Sequence, residues 1–248
     1  MALFADRNPS EPSDLSQYES SIFQTASTEG IDLVAKGTVA ALEIRLELQR
    51  FLLRMATAGS IAIHQVVVND ALRRWHILRT IALTYQDAYF QQLNERYKYK
   101  LDSYRNLSES ASELLFDTGV GIAYSPIHRP GIPTLGQAVG AQPASIWWAS
   151  ISWINAQGGE SEAGPVVSIA TENGSRLLVS PPIHPVNAVA WNVYAGETSD
   201  GLMKQNTNPL SLGETWTMPD EGLLSGVSPS KGQNPDTLLR RTATILRG

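Results

Sequence analysis

Around residues 126–143 the chain changes texture. Before that point, segments dotted with Arg and Glu carry apolar residues at helical spacing; after it, short runs rich in Trp, Ser and Val are separated by Gly-containing turns. Steps of three or four and steps of two cannot share one element, so the break predicts a helical half and a β half. At 248 residues either half is long enough to bury its own core. The break carries Pro126, Pro130, Gly131, Pro133, Gly136, Gly140 and Pro143, which argues against a helix interior and predicts an extended connector.

In the first half, residues 1–33 are rich in Ser, Pro, Glu and Asp and read as an irregular arm. Over residues 34–55 the apolar positions Val34, Val39, Leu42, Ile44, Leu46, Leu48, Phe51, Leu52 and Met55 fit a helix, with Thr57 to Ser60 as its stop. Residues 61–68 are β-branched, and a second helix is expected from about Val66. Leu78, Ile81, Tyr85, Tyr89, Leu93, Tyr97, Leu101 and Tyr104 then form one stripe at steps of three or four, which predicts one long helix. A last helical piece spans 108–116. Residues 34–125 are therefore expected to form a small antiparallel helical bundle.

In the second half, strand-forming runs occur at 145–155, 165–170, 176–180, 188–194, 202–206 and 214–218, with Asn173-Gly174 as a hairpin signal. No helical runs alternate with them, so a parallel α/β sheet is not expected. Six short strands predict a β-sandwich over residues 144–226. In the first of them, period two puts Trp147, Ala149, Ile151 and Trp153 on one face, read as core. Trp153 and Trp191 are the expected interior pair across the sandwich, since large rings dominate such cores. Trp148 lies on the other face as the candidate exposed aromatic.

Residues 227–248 form a basic tail, with Lys231, Arg240, Arg241 and Arg247 against the single Asp236. They follow a stretch, 119–230, in which acidic residues outnumber basic ones by five. Leu238, Leu239, Ile245 and Leu246 have no home in a sandwich that is complete by Met218. With Arg240, Arg241 and Arg247 they form a candidate docking element that gains order on contact with another protein.

The remaining features narrow the chemistry. There are no cysteines, which excludes disulfides, thiolate nucleophiles and sulfur-ligated zinc. His64, His76, His128 and His184 stand singly, without metal-binding spacing, so no metal is expected. No phosphate-cradling Gly-rich loop or nucleophile elbow is present, and no cofactor is expected. Glu160, Glu162 and Glu172 invite a glycosidase reading, but two of them sit at a Gly-rich turn, which predicts ionised, exposed carboxylates rather than a raised acid, and no enzymatic activity is expected. No run is long and apolar enough for a membrane span, the first residues lack a basic and apolar leader, and the net charge of -5 disfavours sequence-specific nucleic-acid binding.

Trp153-Ile-Asn-Ala-Gln-Gly158-Gly159-Glu160-Ser161, followed by Trp191-Asn192-Val193-Tyr194-Ala195-Gly196 and Gly213-Glu-Thr-Trp216, resembles the fibronectin type III-like and immunoglobulin-like modules of tailed-bacteriophage virion proteins. The likeness covers residues 145–219. Helical bundle, Pro-rich connector, one such module and a basic tail together resemble a phage neck protein of the head-to-tail adaptor kind. The resemblance implies an α+β, multidomain fold in which an antiparallel helical bundle is followed by an immunoglobulin or fibronectin III-like β-sandwich. It also implies a homo-oligomeric ring that docks on the portal protein and on tail or nozzle proteins, assembled in the host cytoplasm and resident in the virion neck. An alternative of another class is a tail or surface decoration module that binds host glycan through Trp148.

Overall fold

A computed structural model describes residues 1–55, 61–92 and 95–241. Along the chain run helices α1 (Pro12–Leu15), α2 (Ile22–Glu29) and α3 (Leu33–Met55), then strand β1 (Val66–Val67), then helices α4 (Asp70–Gln92) and α5 (Glu95–Thr118). Strands β2 (Val120–Ile122), β3 (Thr134–Val139), β4 (Ser145–Asn155), β5 (Val167–Thr171), β6 (Ser175–Ser180) and β7 (Ala188–Gly196) follow. The last are β8 (Met203–Lys204), β9 (Leu210–Ser211), β10 (Trp216–Thr217) and β11 (Thr237–Leu239). The fold is thus mixed, with helices in the N-terminal half and antiparallel sheets in the C-terminal half.

The chain divides into two compact units that it enters twice. One comprises residues 1–6 and 125–234, the other residues 7–124 and 235–248.

In the helical unit, residues 7–33 are not an irregular arm. Asp14 caps α1 by accepting the Glu11 amide at 2.9 Å, and Gly30, at φ 65°, closes α2 by donating to Ala26 O. Both helices exist because Leu15, Ile22 and Ala26 are buried in one cluster with Ile77, Ile81 and Tyr85, a burial that outweighs local polarity. The expected helix at 34–55 is α3. The helix expected from Val66 is corrected to a strand: Val66 and Val67 pair with Ile122 and Gly121. Asn69 then caps α4, accepting the Leu72 amide at 2.9 Å.

The long tyrosine helix is also corrected. α4 ends at Gln92 and α5 begins at Glu95, so the stripe belongs to two packed helices. Tyr85 of α4 stacks on Tyr104 of α5, with ring centroids 5.8 Å apart, and lies 6.0 Å from Tyr97. Leu93 lies outside the described residues.

In the β unit, strand order is β10-β6-β3 in one sheet and β5-β4-β7-β8 in the other, where β9 also pairs β7. The six expected strand runs contain β4, β5, β6, β7, β8 and β10 within a few residues. The connector at 126–143 is corrected in its middle, because Thr134–Val139 pairs over its whole length with Ser175–Ser180. β3 is an edge strand, where flanking prolines cost no ladder bond. The Asn173-Gly174 turn exists, with Gly174 at φ 80°, but it joins β5 to β6 in different sheets and is a corner, not a hairpin. One core gathers Trp147, Ala149, Ile151, Trp153, Trp191 and Val193 from one sheet with Leu177, Val179 and Trp216 from the other. The expected pairing of Trp153 with Trp191 across the sandwich is corrected: both are fully buried, but they stand opposite each other in register on the adjacent strands β4 and β7 of one sheet.

Candidate assembly surface

Helix α3 has two apolar faces. Leu33, Gly37, Ala40, Ile44, Leu48, Phe51 and Leu52 are buried. At 100° per residue, Val39, Leu42, Leu46 and Leu53 lie on the opposite side, and the last three are 55%, 67% and 79% exposed. A helix on the surface of a globular unit ordinarily presents polar residues there. Arg45, Arg50 and Arg54 border the exposed stripe, while Glu43 is engaged by Arg79 at 2.6 Å. The signal was present in the sequence: ten large apolar residues over 34–55, Leu53 among them, are more than one face can hold. Periodicity alone treats them as a single stripe.

The buried side of α3 is anchored by a histidine. His76 of α4 is 1% exposed and sits between Ser10 and Gly37. Its Nε2 is 2.9 Å from the Gly37 carbonyl, which can only accept, so Nε2 carries the proton. Nδ1 then accepts the Ser10 hydroxyl at 2.6 Å. Burial pushes the imidazole down to about 4, against the opposing pull of the Gly37 carbonyl and Asp14, so the ring is neutral near pH 7.

At the far end of the helical unit, Glu19 accepts hydrogen bonds from the Ser21 hydroxyl at 2.6 Å and Tyr104 at 3.1 Å, and pairs with Lys100 at 3.0 Å. Burial opposes its ionisation, but these donors hold the carboxyl down at about 2. Burial and the Glu19 charge push the Tyr104 phenol up. Glu29, its side chain fully buried, accepts from Arg96 at 2.7 Å and from the Tyr97 hydroxyl at 2.6 Å. These carboxylates tie the N-terminal segment to α5.

The residues singled out for docking lie as follows. Thr237–Leu239 pairs antiparallel with β2, with Leu238 opposite Gly121. Arg240 Nε donates to Thr118 O at 3.0 Å, the Arg241 amide donates to Phe116 O at 2.7 Å, and its guanidinium lies over the Phe116 ring. The expectation that this segment orders only on another protein is therefore corrected for residues 237–241, which complete a three-stranded sheet of their own unit. Leu238 is exposed and Leu239 half-buried. Ile245, Leu246 and Arg247 lie outside the described residues.

In the β unit, Trp148 is half-buried rather than exposed. Glu160 is not the free turn carboxylate its context predicts. Its Oε1 accepts from Asn192 Nδ2 at 2.7 Å and from the hydroxyls of Ser152 and Tyr194, all three donors fully buried. Burial, then the Glu160 carboxylate, pushes the Tyr194 phenol up. Every contact made by this oxygen lies within the sheet, so it fastens β4 to β7. Glu172 is exposed at the corner before β6. Among the described residues no three His, Asp or Glu side chains are grouped to hold a metal ion, and no helix is long and apolar enough to cross a membrane.

No family model matches the chain, and no curated protein sequence matches it.

Proposed function

We propose that this chain is a structural subunit of a tailed-bacteriophage particle, one of a ring of identical copies at the head-to-tail junction, docking on the portal protein and on tail or nozzle proteins. The observation that carries this reading is the outer face of α3. Leucines 55%, 67% and 79% exposed along one helix side form the kind of contiguous apolar strip that marks an interaction surface. The β half supports it. The residues that resemble virion immunoglobulin-like and fibronectin type III-like modules fall on β4, β7 and β10, whose two antiparallel sheets share one core, as such a sandwich requires.

On this reading the protein performs no chemical step. Copies assemble in the host cytoplasm, pack side by side through their helical units, and present the remaining surface to portal and tail in the virion neck. The alternative, a decoration module holding host glycan on Trp148, has only a half-buried ring to stack on.

Light scattering of the purified chain, alone and mixed with portal protein, tests the reading. A ring-sized species, alone or on mixing, is the expected result. A monomer indifferent to portal overturns it.

A further inference from the structure

The exposed side of α5 differs from that of α3 in charge. Leu107 and Leu114, one heptad apart, are 41% and 42% exposed. On the same exposed side Glu109, Glu113 and Asp117 stand four residues apart in one row, all exposed, with Asp117 one turn from Leu114 and Glu109 towards the far edge. Like charges at that spacing repel, and Glu113 and Asp117 also lie near the C-terminal, negative end of the helix dipole. Among the described residues, none of these three carboxylates makes an ion pair.

Helix α3 carries the complement. Leu46 and Leu53 are likewise one heptad apart, and Arg50 and Arg54 repeat the four-residue spacing beside them, with Arg45 on the other flank. None of these arginines forms a salt bridge among the described residues. On α3 the exposed Glu47 stands one turn before Arg50, so its outer face is net basic rather than of one sign, whereas the exposed row on α5 is wholly acidic. The net signs are opposite.

We infer that the outer face of α3 in one copy packs on the outer face of α5 in the next, with Arg50 and Arg54 against Glu109, Glu113 and Asp117, an inference that rests on the proposal of a ring of identical copies. The contact is heterologous: each copy uses a basic face on one neighbour and an acidic face on the other. A contact of this kind propagates, and it closes into a ring when the rotation per copy allows. An α3-to-α3 contact would instead stop at a dimer.

The test uses the full chain and charge reversal at exposed positions, with far-UV circular dichroism confirming that each variant is folded. Sedimentation velocity is run on wild type, on Arg50→Glu/Arg54→Glu, on Glu109→Lys/Glu113→Lys, and on the chain carrying all four changes. Each two-site variant should raise the concentration needed for half association by about tenfold or more, since reversing charge at a contact creates like-charge pairs. The four-site chain should regain assembly. In an equimolar mixture of the two variants both hetero-contacts join opposite charges, one as in wild type and one as in the four-site chain, so the mixture should regain assembly with the two variants alternating while each alone does not.

Assembly that both variants leave intact overturns the inference, as does loss in the α3 variant alone, which would point to a two-fold α3 contact. A wild type that stays monomeric at all concentrations and also on portal overturns it too. Portal binding is scored separately: charge-sensitive assembly without portal binding keeps this interface and overturns the neck reading, whereas a ring on portal that is indifferent to all four changes does the reverse.

Discussion

The rings of Tyr85 and Tyr104 lie stacked across the α4–α5 hairpin, centroids 5.8 Å apart and planes 12° from parallel. Tyr85 is fully buried, and its hydroxyl accepts from Lys100 at 3.1 Å. Tyr104 sends its hydroxyl to Tyr18 O at 2.9 Å and to Glu19. The pair therefore joins α4 to α5 and, through Glu19, to the segment before α2. Tyr85→Leu and Tyr104→Leu should each lower stability by about 1–3 kcal/mol. Their coupling in a double-mutant cycle, followed by urea unfolding, should be about 0.5–1.5 kcal/mol. Strict additivity would mean that the stack itself contributes nothing.

This relationship also explains what the sequence showed and what it hid. The steps from Leu78 to Tyr104 picked out Ile81, Tyr85, Tyr97, Leu101 and Tyr104, which share one cluster across α4 and α5, but they missed Ala88 and the Trp75–Phe116 contact, and a helical period alone does not register where one helix ends and the next begins. In β4, alternation located the core face at Trp147, Ala149, Ile151 and Trp153, because that face is set by burial alone. The opposite face was misjudged: Ser150 and Ser152 are polar yet fully buried, since Gly164 O accepts from Ser150 and Glu160 from Ser152. Such partners come from distant turns and leave no local pattern. β11 and β2 escaped for the same reason, being three residues each and defined only by their pairing.

Acid should weaken the helical unit in two stages. His76 is held at about 4 when folded and returns to about 6.5 when unfolded. Between those values the unfolded chain binds a proton that the folded chain refuses. The histidine's contribution is thus complete above pH 6.5 and is lost as pH falls towards 4. Glu19, at about 2 folded against about 4.3 unfolded, adds a second loss from about pH 4.5 down to 2. In urea midpoints measured against pH, His76→Gln should remove the first stage, because its amide can still donate to Gly37 and accept from Ser10. An unchanged slope between pH 6.5 and 4 in that variant would refute the assignment.

Glu160 is predicted to act in stability rather than in chemistry. Glu160→Ala leaves three buried donors on Ser152, Asn192 and Tyr194 without their acceptor and should cost about 2–4 kcal/mol. Glu160→Gln keeps an acceptor oxygen and should cost less, about 1 kcal/mol. The isosteric change also removes the charge that helps hold the Tyr194 phenol up, so its titration should move to lower pH. Spectrophotometric titration of tyrosinate reads that shift, and no shift would place Tyr194 outside the influence of Glu160.

A glycan array on wild type and Trp148→Ala bears on the decoration alternative. With Trp148 half-buried, the array should show no signal that the substitution removes. A wild-type signal lost in Trp148→Ala would establish the sugar-stacking role and displace the neck proposal.

The C-terminal segment demands a finer cut than truncation. Removing residues 237–248 strips β11 from β2, and with it the Asp236 amide bond to Ile122 O is left at a frayed end. Gly119, at φ 123°, has Leu238 so close that a Cβ there would meet it at 2.8 Å, so the seat is built around this strand. The deletion should therefore lower the thermal midpoint, and any loss of incorporation into particles would be uninterpretable alone. Leu238→Asp changes an exposed side chain while the strand's backbone pairing stays intact, and it should leave the thermal midpoint within a few degrees of wild type. If the segment docks on portal, Leu238→Asp reduces incorporation or portal binding at unchanged stability. If binding survives in this variant and fails only in the deletion, the segment is a structural strand of its own unit and the docking surface lies elsewhere.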